Sequence, residues 1–226
     1  MKMELKKSIK SVVEDTITKH ITPTELRPRV IGHYNASEMG TCYREWYYRY
    51  KYPLVADTDL LGIFQCGHIF HNFVDEVFAN SDDVKLIANE KALLMMDNES
   101  GAVLHGRLDN LIEYEGVKYI IDTKTTKMIS NYPISETYKM QLMPYMKMFN
   151  IQKGGILYIE KNTLNKKFIE VDYDEELLKY VFERLRVINS HLEDDTLPAK
   201  EAAEDKSKKW ACRFCQYKDK CDMDVN

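Results

Sequence analysis

Two carboxylates and one lysine in the middle of the chain have the residue types and the spacing to do chemistry together. Asp122 and Lys124 are two residues apart, so on a β-strand their side chains point to the same face. Asp109 lies at a similar distance from the predicted turn, on the preceding strand. Neighbouring carboxylates repel each other, and a hard divalent cation such as Mg²⁺ would hold them together. A lysine beside that ion can stabilise a developing negative charge or orient a water molecule.

The element that must position these residues is a β-hairpin. Two strand-like runs, Val103–Tyr114 and Val117–Thr126, flank the dipeptide Glu115-Gly116, and the glycine supplies the positive φ of a tight turn. A charged pair on a strand is also typical of the solvated face of an amphipathic strand, and that alternative stays open. The apolar stretch Tyr119–Ile121 on the second run favours a central, buried strand instead.

The pattern around the hairpin predicts further helices and strands that would flank a sheet. The predicted helices cover residues 3–19, Ser37 (as N-cap) to about Tyr50, Leu60–Ala79, Glu136–Phe149, and Asp174 (as N-cap) to about His191. The predicted strands cover Lys85–Met96, the run ILYIEK that follows Gly154-Gly155, and the run KKFIEVDY. This order predicts one α/β domain spanning residues 1–226, with a core at about 60–195 and a central mixed sheet.

Composition restricts the possible partners and the location of the protein. The 226 residues are 44% hydrophobic and 30% charged, and the net charge is −4, so no global basic field indicates nucleic-acid binding. Any such binding must rest on local patches. The first twenty residues lack the apolar core of a signal peptide, and no run is long enough to span a membrane. We therefore expect a cytoplasmic protein without a membrane partner.

Three of the five cysteines form a group at the C-terminal end of the sequence. Cys212, Cys215 and Cys221 are close together, and Cys42 is the best candidate for a fourth thiolate. In a reducing compartment such a group favours a metal or cluster site over disulfides. An iron–sulfur cluster accepts four thiolates in this way, whereas a zinc site or a tail of free thiols is the alternative. We expect Cys66 to be a small buried thiol.

Histidines and polar pairs on two predicted helices offer further candidates. His68, His71 and Asp75 share one helical face, although a histidine on an apolar helix is more often a core residue. Gln141 and Tyr145 are one turn apart on the helix after the hairpin, where they would form a surface polar pair or hold a phosphate or water.

A band of aromatic and basic residues lies near the start of the domain. Arg44, Trp46, Tyr48 and Arg49 could stack on and pair with single-stranded DNA. The alternative is that they are core aromatic residues with a polar edge.

Taken together, four short motifs resemble the RecB-type branch of the PD-(D/E)xK nucleases. They are G-x-x-x-H (Gly67 to His71), G-R-x-D (Gly106 to Asp109), I-D-T-K (Ile121 to Lys124) and Q-x-x-x-Y (Gln141 to Tyr145). The four-cysteine frame resembles the iron–sulfur subgroup of that branch, and the size and layout resemble the CRISPR-associated RecB-like exonucleases. The resemblance covers about Tyr34 to Cys221. The chain departs from the family pattern at Asp122, where glutamate is frequent, and at Leu108, where the "PD" proline is absent.

The resemblance implies a restriction-endonuclease-like fold and roles for individual residues. It implies that His71, Asp109, Asp122 and the Thr123 carbonyl hold Mn²⁺ or Mg²⁺. Lys124 would then orient the attacking water or stabilise the transition state, and Gln141 and Tyr145 would support the scissile phosphate. The spacing of Gly67 and His71 further suggests that the glycine lets its helix approach the sheet closely, and that His71 rather than His68 is the ligand.

The resemblance also implies a cofactor, a function and partners. A [4Fe–4S] cluster on Cys42, Cys212, Cys215 and Cys221 would join residues 34–52 to residues 205–226. The function would be single-strand DNA exonuclease activity that trims fragments for CRISPR spacer acquisition. The partners would be single-stranded DNA or DNA ends and the CRISPR adaptation integrase. Two alternatives remain. One is a phage or helicase-associated recombination nuclease of the same branch, and the other is a non-catalytic iron–sulfur DNA-binding adaptor.

Overall fold

The computed structural model describes residues 8–22, 28–129, 135–205 and 208–224. The α-helices are α1 (Ile9–Ile21), α2 (Tyr43–Lys51), α3 (Thr58–Ala79), α4 (Glu136–Phe149), α5 (Glu175–Glu193), α6 (Glu201–Glu204) and α7 (Lys218–Met223). The strands are β1 (His33–Asn35), β2 (Lys85–Asn89), β3 (Ala92–Met96), β4 (Val103–Arg107), β5 (Asn110–Tyr114), β6 (Val117–Thr126), β7 (Lys153–Glu160) and β8 (Lys166–Asp172). Short 3₁₀ turns cover Ala36–Glu38 and Lys209–Arg213. In these segments no helix is both long and apolar enough to cross a lipid bilayer.

A mixed five-stranded sheet with the order β2-β5-β6-β7-β8 forms the centre of the fold. Strand β6 is the middle strand; it pairs antiparallel with β5 and parallel with β7. Its residues Ile120 and Ile121 are almost fully buried, as is Ile156 on β7. The α/β class, the mixed sheet and the central position of this strand agree with the prediction. The turn at Glu115-Gly116 also has the expected left-handed backbone, with φ of 50° and 79°.

The predicted strands before this turn are each split between two sheets, which corrects the sequence prediction. The run Val103–Tyr114 is divided into β4 and β5, and the run Lys85–Met96 into β2 and β3. Strands β3 and β4 belong to a separate three-stranded sheet with the order β1-β4-β3. The two segments pass from one sheet to the other at the same point. There the Glu90 amide donates to the Asp109 carbonyl (2.9 Å), and the Leu108 amide donates to the Lys91 carbonyl (3.0 Å). The breaks fall at Glu90-Lys91 and at Leu108-Asp109, which contain neither glycine nor proline, so no turn signal marks them in the sequence.

Helix α5 begins at the cap residue that the sequence predicts. Asp174 precedes α5 and accepts hydrogen bonds from the amides of Glu176 and Leu177. The prediction of one helix from Ser37 to Tyr50 was wrong, because a 3₁₀ turn ends at Glu38 and α2 begins only at Tyr43. Cys42 is the N-cap residue of α2 and does not lie within its first turns. Residues 3–7 of the predicted first helix lie outside the described residues, and Gly154-Gly155 lie inside β7 rather than before it.

The aromatic and basic band lies mostly in the core, which favours the alternative of core aromatic residues over contact with DNA. The side chains of Arg44, Trp46 and Tyr48 are almost fully buried. The Trp46 ring packs edge-on against Tyr34 at 5.7 Å, and the Arg44 Nε donates to the Pro198 carbonyl at 2.7 Å. Helix α2 contacts α5, and its aromatic residues belong to the same hydrophobic core as Leu185 and Ile188 of that helix.

Two glycines of the sequence motifs have different packing roles. Gly106 on β4 faces the hydroxyl of Tyr145 on α4, and a Cβ atom at this position would collide with it. A Cβ at Gly67 on α3 would meet no atom of the described residues within 4 Å, so the expectation that Gly67 allows close helix–sheet packing was wrong. The close approach of helix to sheet is made at Gly106.

The variant Gly106→Ala should lose about 1–3 kcal/mol of stability, because overpacking displaces the Tyr145 ring or the end of β4. Gly67→Ala is the matched control, and it should be neutral or gain about 0.5–1 kcal/mol because alanine favours a helix interior. Urea unfolding of both variants beside the wild type measures the difference. Equal midpoints for the two variants would contradict the packing role of Gly106.

Candidate active site

Strand β6 presents its charged residues at one end of the central sheet. Asp122 and Thr123 are buried, and Lys124 is largely covered. The Lys124 Nζ atom lies 2.9 Å and 3.2 Å from the two carboxylate oxygens of Asp122, so the two side chains share a face as the spacing predicts. Lys124 also donates to the Gln141 Oε1 at 3.1 Å and lies 4.8 Å above the ring of Tyr138. Helix α4 therefore fixes the ammonium group from above the sheet.

Asp109 and His71 complete the cluster from two other elements. Asp109 lies at the point where the chain passes from β4 to β5, and its Oδ2 accepts from the Thr123 amide at 2.7 Å. The His71 ring on α3 lies 3.6 Å from Asp109 Oδ1, and its Nε2 lies 3.0 Å from the Thr123 carbonyl. His68 is exposed, whereas Asp75 binds Asn89 and Asn110. Of the three candidates on that helical face, only His71 is brought to the aspartates.

Burial and the mutual repulsion of the carboxylates dominate the electrostatics of the cluster. Burial, together with the Asp122 charge, raises the pKa of Asp109 to about 6, against the opposing effects of His71 and Lys124. For Lys124, burial by itself would lower the pKa, but the charges of Asp122 and Asp109 outweigh it and raise the pKa. The lysine therefore remains an ammonium ion at neutral pH and compensates the two acids.

The chemistry of the donor set suits a hard divalent cation. Carboxylate oxygens, a backbone carbonyl and an imidazole are ligands of Mg²⁺ or Mn²⁺. Asp122 Oδ2 lies near Lys124 but receives no well-aligned hydrogen bond from the described residues, so part of its acceptor capacity is unused. Still, nowhere in the described segments do three His, Cys, Asp or Glu side chains already stand in a metal-holding arrangement. Lys124 contacts the Asp122 carboxylate, and the Thr123 amide donates to the Asp109 carboxylate.

The two residues of the Q-x-x-x-Y motif act differently in the structure. Gln141 contacts the lysine directly, as described above. The Tyr145 hydroxyl accepts from the Arg107 amide at 3.1 Å and donates to the Arg107 carbonyl at 3.2 Å. Burial raises the pKa of Tyr145 to about 12, which keeps this hydroxyl protonated as a donor. Tyr145 therefore holds the end of β4, two residues before Asp109.

Sequence reasoning missed Tyr138, although a signal for it was present. Its ring covers the Lys124 ammonium, and it lies one turn before Gln141 on the same helical face. Residues three apart on a helix are neighbours on its surface, so the spacing of Tyr138 and Gln141 predicts that both lie near Lys124.

The four candidate cluster cysteines line one cavity between α2 and the C-terminal segment. Cys42, Cys212, Cys215 and Cys221 are partly buried free thiols. Burial raises the pKa of Cys215 to about 11 and also raises the pKa of Cys221. Cys66 is exposed on α3, so the expectation of a buried thiol there was wrong.

A buried arginine joins the two halves of this cysteine region. Arg184 on α5 donates to the carbonyls of Met39 and Thr41 at 2.7 Å and 2.6 Å, just before Cys42. It also pairs with Glu201 on α6 at 2.6 Å, and Glu201 accepts from the Tyr43 amide at 3.3 Å. The start of α2 and the segment leading to the C-terminal cysteines are thereby tied to the same helix. Sequence analysis did not single out this pair, because the backbone groups that it binds, at Met39, Thr41 and Tyr43, lie more than a hundred residues before it in the sequence.

Comparisons with known proteins assign the fold and the family. The crystal structure of SSO0001 superposes with a TM-score of 0.62 at 19% identity, over 97% of this chain and 98% of that one. LHK-Exo, an alkaline exonuclease from Laribacter hongkongensis solved with dAMP, superposes with a TM-score of 0.51 at 11% identity, over 73% of this chain and 90% of that one. A search of curated protein sequences found no match. The family model of the PD-(D/E)XK nuclease superfamily matches residues 75–222, which is more than half of the chain. The chain therefore belongs to the PD-(D/E)XK nuclease superfamily.

Proposed function

We propose that the protein is a metal-dependent DNA nuclease that acts as an exonuclease on single strands. The observation that supports this most directly is the cluster of Asp109, Asp122 and Lys124 around the end of β6. Two acids and a lysine from two neighbouring strands are held together under helix α4. A solvated strand face, the alternative for these residues, does not explain why Asp122 is buried.

The reaction is hydrolysis of a DNA phosphodiester: the oxygen of a water bonds to phosphorus, and a deoxyribose oxygen leaves and takes up a proton. Nucleases of this superfamily use divalent ions such as Mg²⁺ or Mn²⁺, and here Asp109, Asp122, His71 and the Thr123 carbonyl would hold the ion. Such an ion supplies Lewis-acid stabilisation and an acidified water. Lys124, which has no lone pair to offer a metal, stabilises the charge that develops on the phosphoryl oxygens. Gln141 and Tyr138 keep the ammonium aimed at that position.

The exonuclease part of the proposal draws on the likeness to LHK-Exo, which is an exonuclease. The narrower setting, trimming of DNA fragments for CRISPR spacer acquisition with the adaptation integrase as partner, draws on the order of the motifs and the four cysteines. The rival setting is a recombination nuclease of a phage or helicase system. Neighbouring genes distinguish them, because an integrase gene favours the first and a recombinase or helicase gene the second.

We further propose that Cys42, Cys212, Cys215 and Cys221 hold a structural [4Fe–4S] cluster. The convergence of the four thiols on one cavity supports a four-thiolate site, whereas exposed Cys66 lies on another helix. A bound cluster would cross-link α2 to the C-terminal segment. The ion pair of Arg184 and Glu201 would hold the same two segments together through side-chain contacts.

Lys124→Ala should lower the cleavage rate of end-labelled single-stranded DNA in Mn²⁺ by about 10²–10³-fold, because one preorganised donor to the transition state is lost. Binding of DNA should change little, since the contribution is confined to the transition state. Lys118→Ala, an exposed lysine on the same strand, is the matched control and should cleave normally. Near-normal cleavage by Lys124→Ala would remove the proposed mechanism from this cluster.

Asp109→Ala should differ from Lys124→Ala, because it removes a candidate metal ligand as well as a charge. Cleavage and Mn²⁺ binding should be lost together, with the metal measured by calorimetry or by the Mn²⁺ electron paramagnetic signal. Retained Mn²⁺ affinity in a folded Asp109→Ala protein would exclude this aspartate from the metal site.

Alanine at any one of the four cavity cysteines should lose iron and lower the melting temperature, because the cross-link between the chain ends is broken. Cys66→Ala is the control and should keep both the colour and the melting temperature. Absorbance spectra and metal analysis of anaerobically purified protein measure the first effect. Stoichiometric zinc without iron in the wild type would show that the cluster assignment is wrong.

A further inference from the structure

An open cleft lies beside the catalytic cluster, at the carboxyl ends of β1 and β4. These two strands run parallel, with Asn35 opposite His105, so both end at the same edge of the three-stranded sheet. Ligands of open α/β sheets commonly bind beyond the carboxyl ends of the strands. The polar residues that line the cleft come from β1, the 3₁₀ turn, β4 and α4, and they are Asn35, Ser37, His105, Arg107, Gln141 and Tyr145.

The cleft is continuous with the site that the proposed function uses. Gln141 lines the cleft with its side chain and accepts the hydrogen bond from Lys124. Arg107 also lines it and lies two residues before Asp109. The Tyr145 hydroxyl binds both the amide and the carbonyl of Arg107, and this fixes the backbone from which the arginine side chain extends at the edge of the cleft. A chain lying in the cleft would therefore lead directly to the catalytic residues.

The charges and donors of the cleft suit a phosphate group. The Arg107 side chain is 56% exposed, and it forms an ion pair with the exposed side chain of Glu90 at 3.0 Å. Exposed ion pairs are weak, so a phosphate can replace the carboxylate. His105 lies with its ring 6.4 Å from that of His33, and Ser37 exposes a hydroxyl group. Arginine, imidazole and hydroxyl groups are ordinary donors to phosphate oxygens.

A positively charged side chain in the cleft, such as Arg107, would also help the protein to bind a nucleic-acid strand. With a divalent ion bound, the charges of Asp109 and Asp122 cancel that of the ion, and Lys124 is already engaged by Asp122 and Gln141. The nucleic-acid strand must therefore be bound by positively charged groups beside the cluster.

We propose that this cleft is a binding subsite for a backbone phosphate next to the scissile one on a single-stranded nucleic acid. Arg107 makes the main ionic contact, with His105 and Ser37 as neighbouring donors. The proposal rests on the nuclease function and deepens it, because it assigns the path by which the substrate strand reaches the catalytic residues.

Binding of fluorescein-labelled oligothymidylate, followed by anisotropy with Ca²⁺ in place of Mn²⁺, tests the subsite. Arg107→Gln should weaken binding about tenfold or more, as expected for loss of a charged hydrogen bond. It should also lower the slope of log affinity against log salt by about 0.7, the value for one phosphate contact on a single strand. Lys179→Gln, which removes the same charge from an exposed ion pair on α5, is the matched control and should change neither quantity.

Two substitutions at Ser37 test the sign of the charge with Arg107 intact. Ser37→Asp should weaken binding and Ser37→Lys should strengthen it, because the residue is exposed on the cleft and tolerates either side chain. Equal affinities for both Ser37 variants, or an Arg107→Gln variant that matches Lys179→Gln, would overturn the subsite.

Cleavage kinetics separate this proposal from the nuclease function. Arg107→Gln should raise the KM for DNA and keep kcat at saturating substrate, whereas a fall in kcat alone would place Arg107 at the reacting phosphate and contradict the subsite. If the wild type binds DNA with the predicted dependence on Arg107 but cleaves none, the nuclease function fails and the subsite stands. If the wild type cleaves DNA and Arg107→Gln behaves like the control, the subsite fails and the nuclease function stands.

Discussion

The ion pair between Lys124 and Asp122 is the interaction on which the candidate site depends. Asp122 lies in the middle strand of the central sheet, where a carboxylate without a partner would be strongly destabilised. Lys124 supplies the opposite charge at 2.9 Å, and Gln141 fixes its direction. Asp109 adds a second carboxylate, so the patch keeps an excess of negative charge. This excess of negative charge is a physical reason for the patch to attract a cation.

The change of sheet at Asp109 sets the geometry of that patch. Strand β5 begins at Asn110, opposite Ile121, so it offers no backbone partner opposite Thr123 further along β6. The Asp109 carboxylate, at the break between β4 and β5, accepts from the Thr123 amide instead. Tyr145 stabilises the break by holding the Arg107 backbone, and it approaches closely because residue 106 is a glycine. The glycine, the tyrosine and the aspartate therefore act as one unit, although two sequence motifs contain them.

A second set of long-range contacts joins the two ends of the fold. Arg184 lies almost fully buried in α5 and binds the carbonyls that precede Cys42 as well as Glu201 on α6. Buried pairs of this kind impose a specific arrangement, since removing either partner leaves an uncompensated charge. The result is a cavity in which cysteines separated by 170 positions in sequence, Cys42 and Cys212, face the same space.

The sequence by itself determined the features that local physics controls. The Glu115-Gly116 turn, the bounds of β6 and the Asp174 cap follow from φ preferences, strand alternation and free helix amides, all of which act over a few residues. Tertiary structure alone decided which strand pairs with which, and therefore where two predicted strands break. It also decided that Trp46 is core and that Cys66 is exposed, because burial depends on what packs against a helix. The amphipathic pattern marks a residue as able to be buried, but only the distant segments that cover it determine whether it is.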